Sequence, residues 1–138
     1  MMRTPLLLCL LMVAGCAATP REQAAIADRK AADEIKLARL LQGYTPGPPQ
    51  ECIDPLFREY HTTGVGSTLL YRGTGGKVIY RNDTSGCEGV ENGDAQISQN
   101  YQRQICRGQI IQTFDTLSRR PTGGCSLNAF IPYRKVQP

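Results

Sequence analysis

Tryptophan is absent from this sequence, phenylalanine occurs three times, and histidine once, as His61. With nine aromatics in all, nine Pro and fourteen Gly predict short elements joined by many turns. A lone His supplies no partner for a His-based metal site, and such a residue is most often a surface one. Long apolar runs are missing too. The run Leu6 to Ala14 falls far short of the roughly 20 residues that a membrane-spanning helix needs. Charge of one sign is not in large excess: a formal +4 over 138 residues is too little for the clustered basic face that nucleic acid demands. At 41% apolar and 20% charged residues, the chain has the composition of an ordinary folded protein with room for one domain.

Familiar catalytic and ligand motifs are equally scarce. Gly64-Val65-Gly66-Ser67 does not satisfy the Gly-x-Ser-x-Gly of a nucleophile elbow. Gly73-Thr74-Gly75-Gly76-Lys77-Val78 lacks both the first Gly and the hydroxyl after Lys that a phosphate loop requires, and reads as a turn. The polar segment from Asn82 through Asp83, Glu88, Glu91 and Asp94 offers oxygens for Ca²⁺ but not at EF-hand spacing, and turn residues account for it equally well. No carboxylate pair stands out for glycoside hydrolysis, and no internal repeat is present. These absences point to a non-enzymatic protein with no cofactor and no metal, and with no nucleic-acid partner.

What is present begins at the N-terminus. One basic residue, Arg3, precedes the apolar run, and small residues follow it, the order of a secretory signal. Val13-Ala14-Gly15-Cys16 resembles the lipobox of bacterial lipoproteins, in which the Cys thiol is acylated and becomes the first mature residue. That resemblance implies a signal peptide over 1–15, palmitate-type lipidation at Cys16 and a membrane partner reached through the lipid anchor. Ala17 rather than Asp after the Cys implies the outer membrane, at its periplasmic face. Removing residues 1–15 takes away Arg3 alone, so fifteen basic and twelve acidic residues remain, a formal +3. Arg119, Arg120, Arg134 and Lys135 make the last twenty residues the only basic segment, suited to a solvated surface or to anionic headgroups and glycan.

Thr19-Pro20-Arg21-Glu22 has the form of a capping box, and the Ala-rich stretch after it runs without Gly or Pro to Gly43. A helix over about 20–42 follows, roughly 35 Å long at 1.5 Å per residue. Its apolar residues form no clean stripe: Ala24, Ala27, Ala31, Ile35, Ala38 and Leu41 share a face, with Leu37 and Leu40 outside it. The pattern favours a solvated stalk over a pairing helix. The anchor and stalk thus occupy 16–44, and Pro46, Pro48 and Pro49 mark a stiff linker over 45–51.

A small β domain is expected over 52–136. Thr68–Arg72 and Lys77–Arg81 flank a Gly-rich turn and read as a hairpin; with Arg72 opposite Lys77, Leu69, Tyr71, Val78 and Tyr80 share an apolar face and the other face is half wet. Apolar runs at 109–114 and 126–131, with weaker candidates at 53–57 and 96–106, bring the count to five or six strands. The fold expected is mainly β: a small disulfide-stapled antiparallel barrel or sandwich preceded by an N-terminal helix.

Six Cys are present. With Cys9 lost in the signal and Cys16 acylated, Cys52, Cys87, Cys106 and Cys125 remain, an even number that reads as two disulfides in an oxidising compartment. Three pairings are possible, and the expectation is Cys87 with Cys106, closing the polar loop, and Cys52 with Cys125, joining first strand to last. No C-x-x-C knuckle favours a zinc site instead.

Cys52-Ile53, Leu70-Tyr71-Arg72, Tyr80-Arg81-Asn82, Gly86-Cys87, Ile105-Cys106-Arg107-Gly108, Asp115, Gly124-Cys125 and Phe130-Ile131-Pro132-Tyr133-Arg134 together resemble a family of small exported proteobacterial proteins of unknown function. The resemblance covers about residues 50–135. Gln109 departs from it, standing where an acidic residue is expected. The family has no established activity, so the resemblance carries over no functional residue. The expected role is a protein-interaction or structural module of the cell envelope with an envelope protein as partner. An inhibitor or ligand-binding barrel is the alternative, and an envelope hydrolase using the 82–94 carboxylates with His61 or a Tyr is a further one.

Overall fold

Thr19 and Glu22 cap a helix as their spacing predicts. The Glu22 carboxylate accepts from the Thr19 N–H at 2.8 Å, and the Glu22 N–H donates back to the Thr19 hydroxyl at 3.3 Å. These contacts hold the Glu22 carboxyl below its ordinary pKa, the Thr19 N–H first and its hydroxyl second. The structure, a computed structural model, describes residues 18–54, 60–98 and 104–137. Helix α1 spans Pro20–Leu40 and is followed by Gly43 at φ +82°, the left-handed geometry that ends a helix. The chain falls into two units, 1–32 and 33–138. In the first, the described residues 18–32 are exposed throughout; Cys16 and the signal segment lie outside the described residues.

The second unit takes the last turns of α1 and the strands β1 (Tyr44–Pro46), β2 (Cys52–Ile53), β3 (Tyr60–Val65), β4 (Thr68–Gly73), β5 (Val78–Asp83), β6 (Ala95–Ser98), β7 (Ile105–Cys106), β8 (Ile110–Phe114), β9 (Pro121–Ser126) and β10 (Ile131–Lys135). A 3₁₀ turn at Glu88–Asn92 sits between β5 and β6. The strands form a five-stranded sheet in the order β1-β10-β5-β4-β3, a three-stranded sheet β6-β8-β9 and a two-stranded pair β2-β7, with every pairing antiparallel. The mainly β class is as expected, and the sheets do not close into a barrel. Ten strands among the described residues replace the five or six expected, because several are only two or three residues long and carry no readable alternation.

Strand alternation places Leu69 and Tyr71 on one face of the large sheet and Leu70 and Ile79 on the other. On the first face they join Ile53, Ile111, Leu127, Phe130 and the buried Cys87 and Cys125. Tyr71 meets Tyr60 and Phe130 edge-on, at centroid separations of 6.3 and 5.7 Å. Burial pushes the pKa of Tyr71 well above its ordinary value. The second face is half wet, as the hairpin reading expects, with Arg72 and Lys77 exposed on it, but its apolar half is not open: Leu70, Ile79 and Val65 are covered by Leu37 and Leu41 of the α1 end. The hairpin register also differs by two residues, Arg72 standing opposite Ile79 rather than Lys77. Because the shift is even, Leu69, Tyr71, Val78 and Tyr80 keep a common face, now joined by Asn82.

Two further expectations are corrected. The stalk reading fails for the last turns of α1, where Leu37 is 1% and Leu41 7% exposed while Ile35 is 56% exposed. The buried residues are a single i, i+4 pair spanning about one turn, too short a stripe to stand out within the Ala-rich helix. Residues 45–51 are not a linker. Thr45 and Pro46 pair with Arg134 and Tyr133, the Gly47 N–H donates to the Pro132 carbonyl at 2.7 Å, and Gln50 and Phe130 exchange backbone bonds of 2.8 Å. Proline excludes a helix and a central strand but is tolerated on an edge strand, where it takes away no ladder bond that is needed. The β domain therefore takes in residues before 52.

The disulfides are Cys52–Cys106 and Cys87–Cys125, which corrects the expected partners. Adjacency of strands decides the pairing. β2 and β7 set Cys52 directly opposite Cys106 with Cα atoms 4.0 Å apart. Ser85 bonds Ser126 through backbone and side chain, so Cys87 arrives beside Cys125. Each bridge closes a long loop, with separations of 54 and 38 residues. On the loop-entropy model each is worth about 4 kcal/mol.

Candidate functional site

Among the described residues, the polar groups singled out in the sequence separate into structural ties and one exposed loop. Asn82 is 0% exposed and acts as a surrogate peptide: its amide donates to the Asn128 carbonyl at 2.7 Å and accepts from the Asn128 N–H at 2.9 Å. Asp83 accepts from the Thr68 hydroxyl at 2.8 Å and from Arg81 Nε at 2.9 Å. Arg81 also reaches Glu34 of α1 at 2.8 Å. Burial disfavours the Arg81 charge, but the Glu34 and Asp83 carboxylates outweigh it and raise its pKa. Asp94 accepts from the Thr122 hydroxyl. No three of His, Cys, Asp and Glu gather into a metal-binding group among the described residues.

Glu91 uses both of its carboxylate oxygens. One oxygen pairs with Lys36 of α1, and the other accepts from the Gly66 N–H at 2.9 Å. The 3₁₀ turn that carries it lies on β3 at Gly64, where a Cβ would come within 2.6 Å of the Glu91 nitrogen, so only glycine fits. Lys36 first, and then the Gly66 N–H, hold the Glu91 carboxyl below its ordinary pKa. A depressed carboxylate contributes stability above its unfolded value, and that contribution is lost as pH falls through the folded one. Thermal unfolding should therefore show stability declining as pH drops past about 4.3, the ordinary Glu value. Glu91→Gln should make that decline shallower; an identical acid slope in the variant would show that the carboxylate does not help dock the helix.

His61 is exposed on β3 opposite Arg72. It stands near the start of that strand, whereas the Glu91 contacts lie beyond its end at Gly66. His61 and Glu91 are therefore not brought together as the hydrolase alternative would use them. Tyr60 and Tyr80 pack edge-on at 5.9 Å beside the Tyr71 core.

The exposed loop joins β8 to β9. Asp115 organises it: its carboxylate accepts from the Leu117 N–H at 3.2 Å and the Ser118 N–H at 2.6 Å, its carbonyl accepts from the Arg119 N–H at 2.9 Å, and its own N–H donates to the Arg120 carbonyl at 3.0 Å. The Ser118 N–H and hydroxyl, then the Leu117 N–H, hold the Asp115 carboxyl below the usual range. Arg119 takes φ +57°, a left-handed conformation that costs a non-glycine residue free energy. Set in this frame is Leu117, 93% exposed. A short polar loop thus holds a leucine and two arginines outward in one preset shape. The sequence carried a signal for it, since Asp-Thr-Leu-Ser is the composition of an Asx-type turn.

No family model, curated protein or solved structure matches the chain.

Proposed function

We propose that this protein is an outer-membrane-anchored periplasmic lipoprotein that works as a non-enzymatic interaction module of the cell envelope. The observation that carries the reading is the 115–120 loop, in which Leu117 is exposed to 93% while the backbone around it is tied by four hydrogen bonds from Asp115. An ordered loop loses little conformational entropy on binding, and an exposed leucine gains by being covered. Val13-Ala14-Gly15-Cys16 supports the anchor, and the two disulfides support an exported, oxidising setting. The likeness to small exported proteobacterial proteins of unknown function supports the same setting without naming a partner. The same loop suits the cleft of an envelope enzyme, which makes inhibition the second form of this reading.

Two substitutions test it. Cys16→Ser should release the protein to the soluble periplasm on fractionation, and unchanged membrane retention would remove the lipid anchor from the proposal. In-cell cross-linking should capture a defined envelope protein with the wild type and lose it with Leu117→Asp. A capture profile unaffected by Leu117→Asp would place the contact elsewhere.

A further inference from the structure

The sequence groups Arg134 and Lys135 with Arg119 and Arg120, but the fold separates them onto different sheets. Arg119 and Arg120 belong to the loop leading into β9 of the three-stranded sheet; Arg134 and Lys135 lie on β10 of the five-stranded one. There Lys135 meets Lys77: its N–H donates to the Lys77 carbonyl at 2.9 Å, one step beyond the Arg134–Val78 pair. Arg72, opposite Ile79, lies diagonally one step away, and alternation puts Arg72, Lys77 and Lys135 on the same face. All three are exposed. The ion pairs among the described residues engage Lys36, Arg81 and Arg107, and none engages these three.

Like charges directly opposite each other destabilise a ladder, so the Lys77–Lys135 pair is unfavourable until an anion lies over it. Among the described residues, the carboxylates on or bonded to this sheet sit at its other end: Asp83 pairs with Thr68 at the start of β4, and Glu91 reaches Gly66 just before it. Tyr44, paired with Lys135, and Tyr133 lie partly buried in the same rows.

We propose that this end of the five-stranded sheet is a docking face for an anionic phospholipid bilayer, with Arg72, Lys77 and Lys135 on the headgroup phosphates. The three cations stand on neighbouring strands about 4.8 Å apart, so they are spread across the sheet rather than gathered on one point. Cations spread in this way meet separate phosphates, and basic residues near a surface are drawn to anionic lipid. The face is distinct from the 115–120 loop, so the inference does not rest on the interaction reading.

The test is flotation of the full-length, non-acylated Cys16→Ser protein with vesicles of phosphatidylcholine alone, or of phosphatidylcholine with one third phosphatidylglycerol. Any apolar contribution of the N-terminal segment is common to both vesicles, so the ratio reports the charges. At about fivefold per basic residue, partition into the anionic vesicles should exceed that into the neutral ones by on the order of a hundredfold at low salt. It should collapse as salt shortens the screening length from about 10 Å. Arg72→Gln/Lys77→Gln/Lys135→Gln should bring the ratio near one, whereas Arg119→Gln/Arg120→Gln should keep most of it. Equal partition into both vesicles, or equal loss in the two charge variants, would overturn the proposal. So would full competition by a soluble anionic polysaccharide without any preference between vesicles. If the triple variant does not fold, Lys77→Gln and Lys135→Gln made singly at these exposed positions should each lower the ratio about fivefold, and no change in either would equally overturn the proposal.

Discussion

Replacing Cys87 and Cys125 together by alanine is expected to lower the free energy of unfolding by about 2–5 kcal/mol, and to do so without changing the fold of what remains at low temperature. Both cysteines are 4% exposed and lie within the main core cluster, so the change removes buried contacts as well as a loop closure. Denaturant unfolding of the oxidised proteins measures it. The other bridge is only half-buried at both cysteines. A mild thiol should therefore reduce Cys52–Cys106 first and leave Cys87–Cys125 intact, which alkylation followed by peptide mapping can order. Non-reduced peptides joining 87 to 106 or 52 to 125 would contradict the β2-β7 register and the course of the chain at Ser85.

Leu37→Ala should cost about 2–5 kcal/mol, the range for truncating a fully buried leucine, even though alanine is the better helix former. Leu37 is 1% exposed and packs with Leu70, Ile79 and Val65 on the second face of the large sheet. Ile35→Ala, two residues earlier and 56% exposed, should stay within about 0.5 kcal/mol. The contrast distinguishes a helix end that completes the core from one that is merely solvated. Equal midpoints for the two variants in urea would mean that the last turns of α1 do not cover the sheet.

Both predictions concern features that local reading missed, for the same physical reason. Leu37 and Leu41 look like minor irregularities in an Ala-rich helix until Leu70 and Ile79 present an apolar face that needs a cover. Pro46, Pro48 and Pro49 read as a linker because proline breaks helices and central ladders, yet β1 pairs along β10 as an edge strand where the missing N–H of Pro46 is not needed. The cysteines could be counted but not partnered. Which thiols meet depends on which strands adjoin, and β2 and β7 are two residues each. Cys16 is legible only as a motif and lies outside the described residues.

Other features were readable from the chain alone because their causes are local. Thr19 and Glu22 start the helix through reciprocal bonds three residues apart, Gly43 ends it through a positive φ, and the Gly-rich turn after Arg72 joins two β-prone runs into a hairpin. The parity of that hairpin survived a two-residue error in register, since the side-chain period of a strand is two. The mainly β character and the four-cysteine framework follow from composition and count. Partnerships distant in sequence were settled by the fold: Cys52 with Cys106, α1 over Leu70 and Ile79, Glu91 between Lys36 and Gly66, and the row of Arg72, Lys77 and Lys135. Each depends on elements brought together by burial of apolar surface, which is non-directional and leaves no mark at any one position in the chain.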